Sequence, residues 1–256
     1  DMLVVGDGGV VLVGSTIPDP SRGLHAPFSS IFALSTADLS DWGSHRWVIE
    51  DARNPMIVDP DLTVDRSGRV GAVYYSAPQP ADPAQLPEHH PGPHDIRVAW
   101  WEGGADGRFV EQAQPIVSVE GMVDPSLCFF DGGWHLFTSG PRGVAHFSGT
   151  SLTEGLARDR YFQWGQGSVP SCIVDGDSLM VVAQRSGGRG APQVRRFNAK
   201  TQWSDAVDLF PSGTDPFSGG CASPTLGRRD GSWLLFCAVH TAPEPGGQQS
   251  RGPKRR

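Results

Sequence analysis

Short apolar runs separated by turn residues recur along the whole chain, and the periodicity of an amphipathic helix is convincing nowhere. Four segments share one phrase: a residue precedes proline, an apolar stretch leads to an aspartate, and a second apolar run follows. In three of them the aspartate is followed by glycine, and Asp-Gly between β-rich runs is a strong hairpin signal. The phrases begin at Asp59, Asp124, Val169 and Ser223, and each predicts a hairpin.

A fifth hairpin, without the proline, is predicted where residues 1–5 and 10–15 flank the turn Asp7-Gly8-Gly9. The five copies recur at about 45 to 65 residues, the spacing of a four-stranded propeller blade. Candidate outer strands lie at 31–35 with 46–50, at 96–102 with 109–117, and at 194–198 with 207–210. The sequence therefore predicts an all-β fold, a single five-bladed β-propeller over residues 1–245, followed by a basic Gly/Pro/Arg tail over 246–256.

An ordinary β-sandwich is the alternative fold, because it also contains many short strands. It gives no reason for one phrase to return at blade spacing, so the propeller is favoured. Only a Pro-, Gly-, Gln- and Arg-rich stretch follows His240, which leaves no outer strands for the fifth blade. We expect that blade to be half built, or completed by residues outside this sequence.

Composition narrows the classes of partner. The 256 residues carry a net charge of −7, and the one basic cluster lies at 251–256, which argues against nucleic-acid binding. No apolar run approaches the roughly 20 residues that span a bilayer, so we expect a soluble protein, secreted or cytoplasmic, without a membrane partner. The four cysteines lack CxxC spacing, and we expect buried thiols rather than a zinc site. A Cys221–Cys237 disulfide is the alternative.

Propeller geometry brings the starts of all first strands to one face. Three of those starts carry carboxylates, Asp1, Asp59 and Asp124. Close like charges raise one another's pKa, so one carboxyl holds its proton while another stays ionised, as acid/base chemistry on a glycosidic bond requires. The alternative is that an aspartate before proline only accepts local backbone N–H groups.

The ends of the second strands and the loops that cross the same face supply further candidates. The predicted substrate-binding residues are Tyr75, Ser139, Arg142, Gln184, Arg185 and His240. The crossing loop 77–93 is long enough to be a lid. Four histidines, His25, His89, His90 and His94, lie in or beside the crossing loops and could bind a metal or move protons. The last three also fit a solvated loop. Four tryptophans in strand patterns, Trp100, Trp134, Trp164 and Trp233, are expected to pack between blades.

The segment 58–62, together with 73–76, resembles the second blade of glycoside hydrolase family 43, the arabinanase and β-xylosidase propellers related to invertases and levansucrases. Residues 1–5 match its first blade, with Met2 where the family usually has proline. The resemblance implies that Asp1 is the general base and that Asp59 tunes the pKa of the acid and orients substrate. The family's acid is a glutamate of the third blade, for which Glu120 and Asp124 are the candidates here.

Members of this family also often hold a metal ion on the propeller axis through a fifth-blade histidine. Residues 219–223 contain no histidine, so a structural metal ion is only a possible cofactor. The sequence predicts a glycoside hydrolase-like enzyme with a carbohydrate or small-molecule substrate. Two alternatives stay open: a non-hydrolytic enzyme of secondary metabolism that uses the same pocket for a cyclisation or rearrangement, and a non-catalytic propeller that binds a carbohydrate or another ligand.

Overall fold

A computed structural model describes twelve parts of the chain. They are residues 2–5, 9–15, 30–36, 46–50, 56–78, 93–102, 108–185, 191–198, 200, 202–210, 221–229 and 231–239. These parts are built from antiparallel strands. Among them there is no helix long and apolar enough to cross a membrane.

The strands form five sheets, which we number as blades 1 to 5 in chain order. Blade 1 contains β1 (Met2–Val5), β2 (Gly9–Ser15), β3 (Ser30–Thr36) and β4 (Arg46–Glu50). Blade 2 contains β5 (Met56–Val64), β6 (Val70–Ala77), β7 (Pro93–Glu102), β8 (Arg108–Glu111) and β9 (Val117–Glu120). Blade 3 contains β10 (Val123–Phe130), β11 (Gly133–Gly140), β12 (Gly143–Gly149) and β13 (Ala157–Arg158). Blade 4 contains β14 (Gly167–Asp175), β15 (Ser178–Arg185), β16 (Gln193–Asn198), β17 (Gln202–Trp203) and β18 (Val207–Asp208). Blade 5, as far as the structure describes it, contains β19 (Cys221–Arg229) and β20 (Ser232–Val239).

The first strands of the five blades form a closed ring. β5 contacts β10, β10 contacts β14, and β14 contacts β19, while β1 contacts both β19 and β5. Each first strand also pairs with the second strand of its own blade. This arrangement confirms the predicted five-bladed β-propeller.

The repeated proline phrase forms the same β-bulge in four blades. The register of the first hairpin shifts between Val58 and Asp61 in blade 2, and at the equivalent places of blades 3, 4 and 5. The residue before each proline has a positive φ, of 50°, 51°, 48° and 48° for Asp59, Asp124, Val169 and Ser223. Non-glycine residues rarely adopt this conformation, and a following proline restricts it further. Such strain costs about 1–3 kcal/mol per residue and is retained mainly where function or surrounding structure requires it.

Apolar side chains fill the spaces between neighbouring blades. Between blades 2 and 3, Trp100 and Trp134 lie with ring centroids 5.8 Å apart, as predicted for packing between blades. Trp164 is buried as well, whereas Trp233 is 41% exposed and departs from that prediction. The outer edge of blade 2 also differs from the prediction, because β8 and β9 are separate strands that both pair with β7.

All four cysteines are paired, so the expectation of free thiols is wrong. The Cys221–Cys237 disulfide lies within the hairpin of blade 5 and was the alternative considered from the sequence. The Cys128–Cys172 disulfide joins β10 to β14 across the boundary between blades 3 and 4, with Cα atoms 6.3 Å apart. The sequence does not reveal this bond, because Cys128 and Cys172 are separated by 44 positions and meet only through the ring of first strands.

Candidate active site

Two of the predicted catalytic carboxylates occupy equivalent positions on neighbouring first strands. Asp59 lies at the bulge of β5 and Asp124 at the bulge of β10, and both side chains are partly exposed. Two residues further along each strand, the Ser126 hydroxyl donates a hydrogen bond to the Asp61 carboxyl. This bond aligns the two strands, so the structure brings Asp59 and Asp124 to adjacent places at one end of the ring.

A buried belt of polar side chains lies just below these bulges. It consists of Asp61, Ser126, Ser171 and Thr225, which are equivalent residues of blades 2 to 5. Besides donating to Asp61, the Ser126 hydroxyl accepts the N–H of Cys172 at 2.8 Å, so one hydroxyl links three blades. The hydroxyls of Ser171 and Thr225 are hydrogen-bonded at 2.9 Å. The belt therefore fixes the positions of the first strands that carry the candidate carboxylates.

Asp61 has the most perturbed carboxyl group of the described residues. Burial raises its pKa to about 7, although hydrogen bonds from Ser126 and from the backbone of Leu62 and Leu127 act in the opposite direction. Its Oδ2 atom is buried without a hydrogen-bond partner among the described residues. Asp61 belongs to the repeated phrase, but the sequence alone assigns it no role. The belt position, polar in four successive phrases, was the signal that could have identified it.

Three predicted substrate-binding residues occupy equivalent positions at the ends of second strands. Tyr75 pairs with Val58, Ser139 with Val123, and Gln184 with Ser168. The Ser139 hydroxyl accepts the N–H of Val169 at 2.7 Å, and Gln184 Oε1 accepts the N–H of Ser223 at 3.1 Å. Both side chains thus hold the strained bulge of the following blade.

Tyr75 differs from this pattern because its side chain is completely buried between blades 2 and 3. Its ring stacks on His94 with centroids 5.3 Å apart, and His94 Nδ1 lies 3.2 Å from the Met122 carbonyl oxygen. The structure therefore places Tyr75 in the core rather than on the channel surface. His94 is also fully buried, in β7, so the interpretation of this histidine as part of a solvated loop is wrong.

Glu120 and Arg142 line a cavity beside blade 3. Both residues are exposed and line this cavity, whereas Asp59 and Asp124 do not. Glu120 ends β9, which pairs with β7 at the outer side of blade 2. The two candidates for the acid are thus separated, and Asp124 is the one that neighbours Asp59.

The remaining predicted residues are placed only in part. Arg185 ends β15, is exposed, and pairs with Gly167 at the start of blade 4. Asp1 and His240 lie outside the described residues, as do the loop histidines His25, His89 and His90.

The described residues do not fit a metal ion. Among them no group of three or more histidine, cysteine, aspartate or glutamate side chains is arranged to hold one. The belt has oxygen atoms near the propeller axis. Its hydroxyl groups are hydrogen-bonded between blades rather than arranged around a metal ion.

Comparison with solved structures identifies several similar proteins. The α-L-arabinofuranosidase of Lactobacillus brevis has a TM-score of 0.63 at 10% identity, covering 95% of this chain and 85% of that chain. The xylan β-1,4-xylosidase of Bacillus halodurans has a TM-score of 0.62 at 15% identity, covering 94% of this chain and 48% of that one. The exo-β-1,3-galactanase of Phanerochaete chrysosporium, solved with galactose, has a TM-score of 0.58 at 13% identity, covering 82% and 49%.

This chain thus spans about half the length of the galactanase and the xylosidase. No protein-family model and no curated protein sequence matches it. The structural likeness agrees with the ring of first strands and with the bulged hairpins described above. The chain therefore has the β-propeller fold of these glycoside hydrolases.

Proposed function

We propose that the chain is a glycoside hydrolase whose acid/base chemistry is carried by carboxylates at the starts of the first strands. The observation that carries this proposal is the pair Asp59 and Asp124, held in strained bulges on adjacent strands at one end of the propeller. Strain of this kind is commonly retained at functional sites. Two carboxyl groups on opposite sides of a scissile bond are what glycoside hydrolysis requires.

Asp124 is the proposed general acid, in preference to Glu120. Asp124 shares its place in the blade with Asp59, whereas Glu120 ends an outer strand and lines the cavity beside blade 3. Asp59 is the proposed residue that orients substrate and tunes the acid. Asp1, which lies outside the described residues, keeps its proposed role as the base on sequence grounds alone.

Asp61 is a positioning residue in this scheme, because it acts through another group. It joins β5 to β10 through the Ser126 hydroxyl and thereby sets the spacing of the two bulges. Because its pKa is raised, the Asp61 carboxyl is partly protonated near neutral pH. This limits the negative charge beside Asp59 and Asp124.

The leaving group of the substrate provides the test. We expect hydrolysis of an aryl-arabinofuranoside, an aryl-xyloside or an aryl-galactoside. Asp124→Asn should lower kcat about 100-fold or more on unactivated oligosaccharides, since these need the acid to protonate the departing oxygen. The same variant should retain most activity on a 2,4-dinitrophenyl glycoside, whose leaving group departs without a proton. Asp59→Asn should lose activity on both substrates.

Glu120→Gln is the matched control and should behave as the parent chain. Equal losses in Glu120→Gln and Asp124→Asn would contradict the assignment of the acid. Absence of hydrolysis across the glycoside panel, with the sugars still bound, would overturn the hydrolase in favour of a carbohydrate-binding propeller.

A further inference from the structure

A cavity of about 930 Å³ opens beside blade 3 and is not accounted for by the proposed acid/base site. It lies on the same face as Asp124, because Arg142 follows the end of β11, which pairs with the start of β10. Its volume is within the range of about 300–1,000 Å³ that small-molecule sites occupy.

Three arginines converge on this cavity from separate parts of blade 3. Arg142 belongs to the turn between β11 and β12, Arg158 ends β13, and Arg160 follows it. All three side chains are exposed, and none has a hydrogen-bond or ion-pair partner among the described residues. In a chain of net charge −7 this is a local concentration of positive charge.

Two carboxylates also line this cavity, and neither is ion-paired with these arginines among the described residues; three arginines against two carboxylates leave one net positive charge. Asp159 is already bound, because His146 Nδ1 lies 3.1 Å from its Oδ2, and the N–H groups of Tyr161 and Phe162 donate to its Oδ1. Burial alone would raise the pKa of the Asp159 carboxyl, but these hydrogen bonds outweigh burial and hold the pKa below its usual range. Glu120, exposed at the edge of the cavity, is the other lining carboxylate.

Aromatic surface lies next to the arginines. Phe162 and Trp164 line the cavity but are mostly buried, 8% and 4% exposed, so they form its wall rather than an open stacking surface. Tyr161, between the lining residues Arg160 and Phe162, is 96% exposed. Aromatic rings offer flat apolar surface to the carbon faces of a sugar, and guanidinium groups bind carboxylate or sulfate oxygens in pairs.

We propose that this cavity is a subsite for an anionic sugar, whose carboxylate or sulfate ester is held by Arg142, Arg158 and Arg160. The assignment of that sugar to the substrate rests on the proposed function, whereas the binding itself does not. The ligand is thus a uronic acid or a sulfated sugar, recognised by its charge at the arginines and by its ring at the exposed side chain of Tyr161.

Three sugars of one ring type test the charge requirement. Binding of D-glucuronate, D-glucose 6-sulfate and D-glucose is measured by calorimetry and by saturation-transfer NMR, with inorganic sulfate as a fourth probe. We expect at least one anionic sugar to bind about tenfold tighter than glucose, with an affinity that falls as NaCl is added. The tighter of the two anionic sugars identifies the ligand group. Equal affinity for all three sugars overturns the proposal, and so does inorganic sulfate binding as tightly as the tighter of the two anionic sugars.

Substitution of the arginines locates the site. Arg142→Gln and Arg160→Gln should each weaken binding of the anionic sugar about five- to tenfold and leave that of glucose unchanged. Arg66→Gln, which changes an exposed arginine in the hairpin of blade 2, is the control and should bind as the parent chain does. Parental affinity in both cavity variants would overturn the proposal. Asp124→Asn separates the two proposals, since it should lose hydrolysis of unactivated oligosaccharides and keep binding of the anionic sugar.

Discussion

Asp61 allows a sharp test of the buried belt through the pH dependence of stability. Its carboxyl is buried and has a pKa of about 7 in the folded chain, against 3.8 for an exposed aspartate. Between these two values the folded chain retains a proton that the unfolded chain has released. Stability contributed by this group is therefore complete below about pH 4 and is lost as the pH rises toward 7.

The size of the effect follows from the two pKa values. A difference of about three pKa units corresponds to roughly 4 kcal/mol in the free energy of unfolding. About 3 kcal/mol of this is lost between about pH 4.5 and about pH 8. Asp61→Asn removes the titration and keeps an oxygen that can accept from Ser126. The amide N–H groups replace an Oδ2 atom that has no partner among the described residues, which costs about 1–3 kcal/mol at every pH.

The assay is urea unfolding followed by tryptophan fluorescence at several pH values. We expect the parent chain to lose about 3 kcal/mol relative to Asp61→Asn as the pH rises from about 4.5 to about 8. Asp177→Asn, a change at an exposed aspartate of the β14–β15 turn, should track the parent chain throughout. A difference between parent and Asp61→Asn that stays constant within about 1 kcal/mol over this range would refute the reasoning.

Three further changes test other parts of the fold. Burial and the adjacent His146 lower the pKa of His135 to about 4. The free energy of unfolding should therefore fall by about 3 kcal/mol as the pH drops from about 6.5 to about 4. His135→Gln should abolish that loss in acid unfolding curves. Replacing Cys128 and its partner in β14 by serine should cost about 4 kcal/mol in urea, given the 44-residue separation. Gly143→Ala should lower Tm strongly, because its φ is 95° and a Cβ there would meet the Trp164 carbonyl oxygen.

Two of these changes have a matched control, and the third has a refuting outcome. Gly132→Ala also forces alanine to a positive φ, of 78°, but its Cβ meets nothing within 4 Å, so an equal loss in both glycine variants would disprove the clash. Serine replacement of Cys221 and Cys237, only 16 residues apart, should cost less, about 3 kcal/mol, and a larger loss there would contradict the loop argument. An unchanged acid transition in His135→Gln would show that its burial carries no pH dependence.

The hairpins were predictable from the sequence because their determinants are local. Asp131-Gly132 and Asp175-Gly176 lie at the turns of β10–β11 and β14–β15, as the Asp-Gly signal predicts. The positive φ at Asp59 and Val169 was not predictable, because a residue before proline normally prefers extended backbone and only the surrounding ring imposes the bulge.

The candidate site was predictable only in part, for the same reason. Alignment of the repeated phrases located Asp59 and Asp124, whereas the position of Glu120 in the cavity beside blade 3 depends on how β9 pairs at the edge of blade 2. The burial of His94 depends on a neighbouring blade, through its contact with the Met122 carbonyl.

The disulfide between Cys128 and Cys172 makes one boundary of the ring different from the boundaries beside it. Blades 3 and 4 are covalently joined there, while the second disulfide stays inside blade 5 and locks no boundary. Any widening of the ring as a ligand enters must therefore occur elsewhere. The seam between blades 2 and 3, which separates Asp59 from Asp124, is held by apolar packing and by the hydrogen bond between Ser126 and Asp61, without a disulfide. The distance between the two carboxylates can therefore change without the breaking of a covalent cross-link.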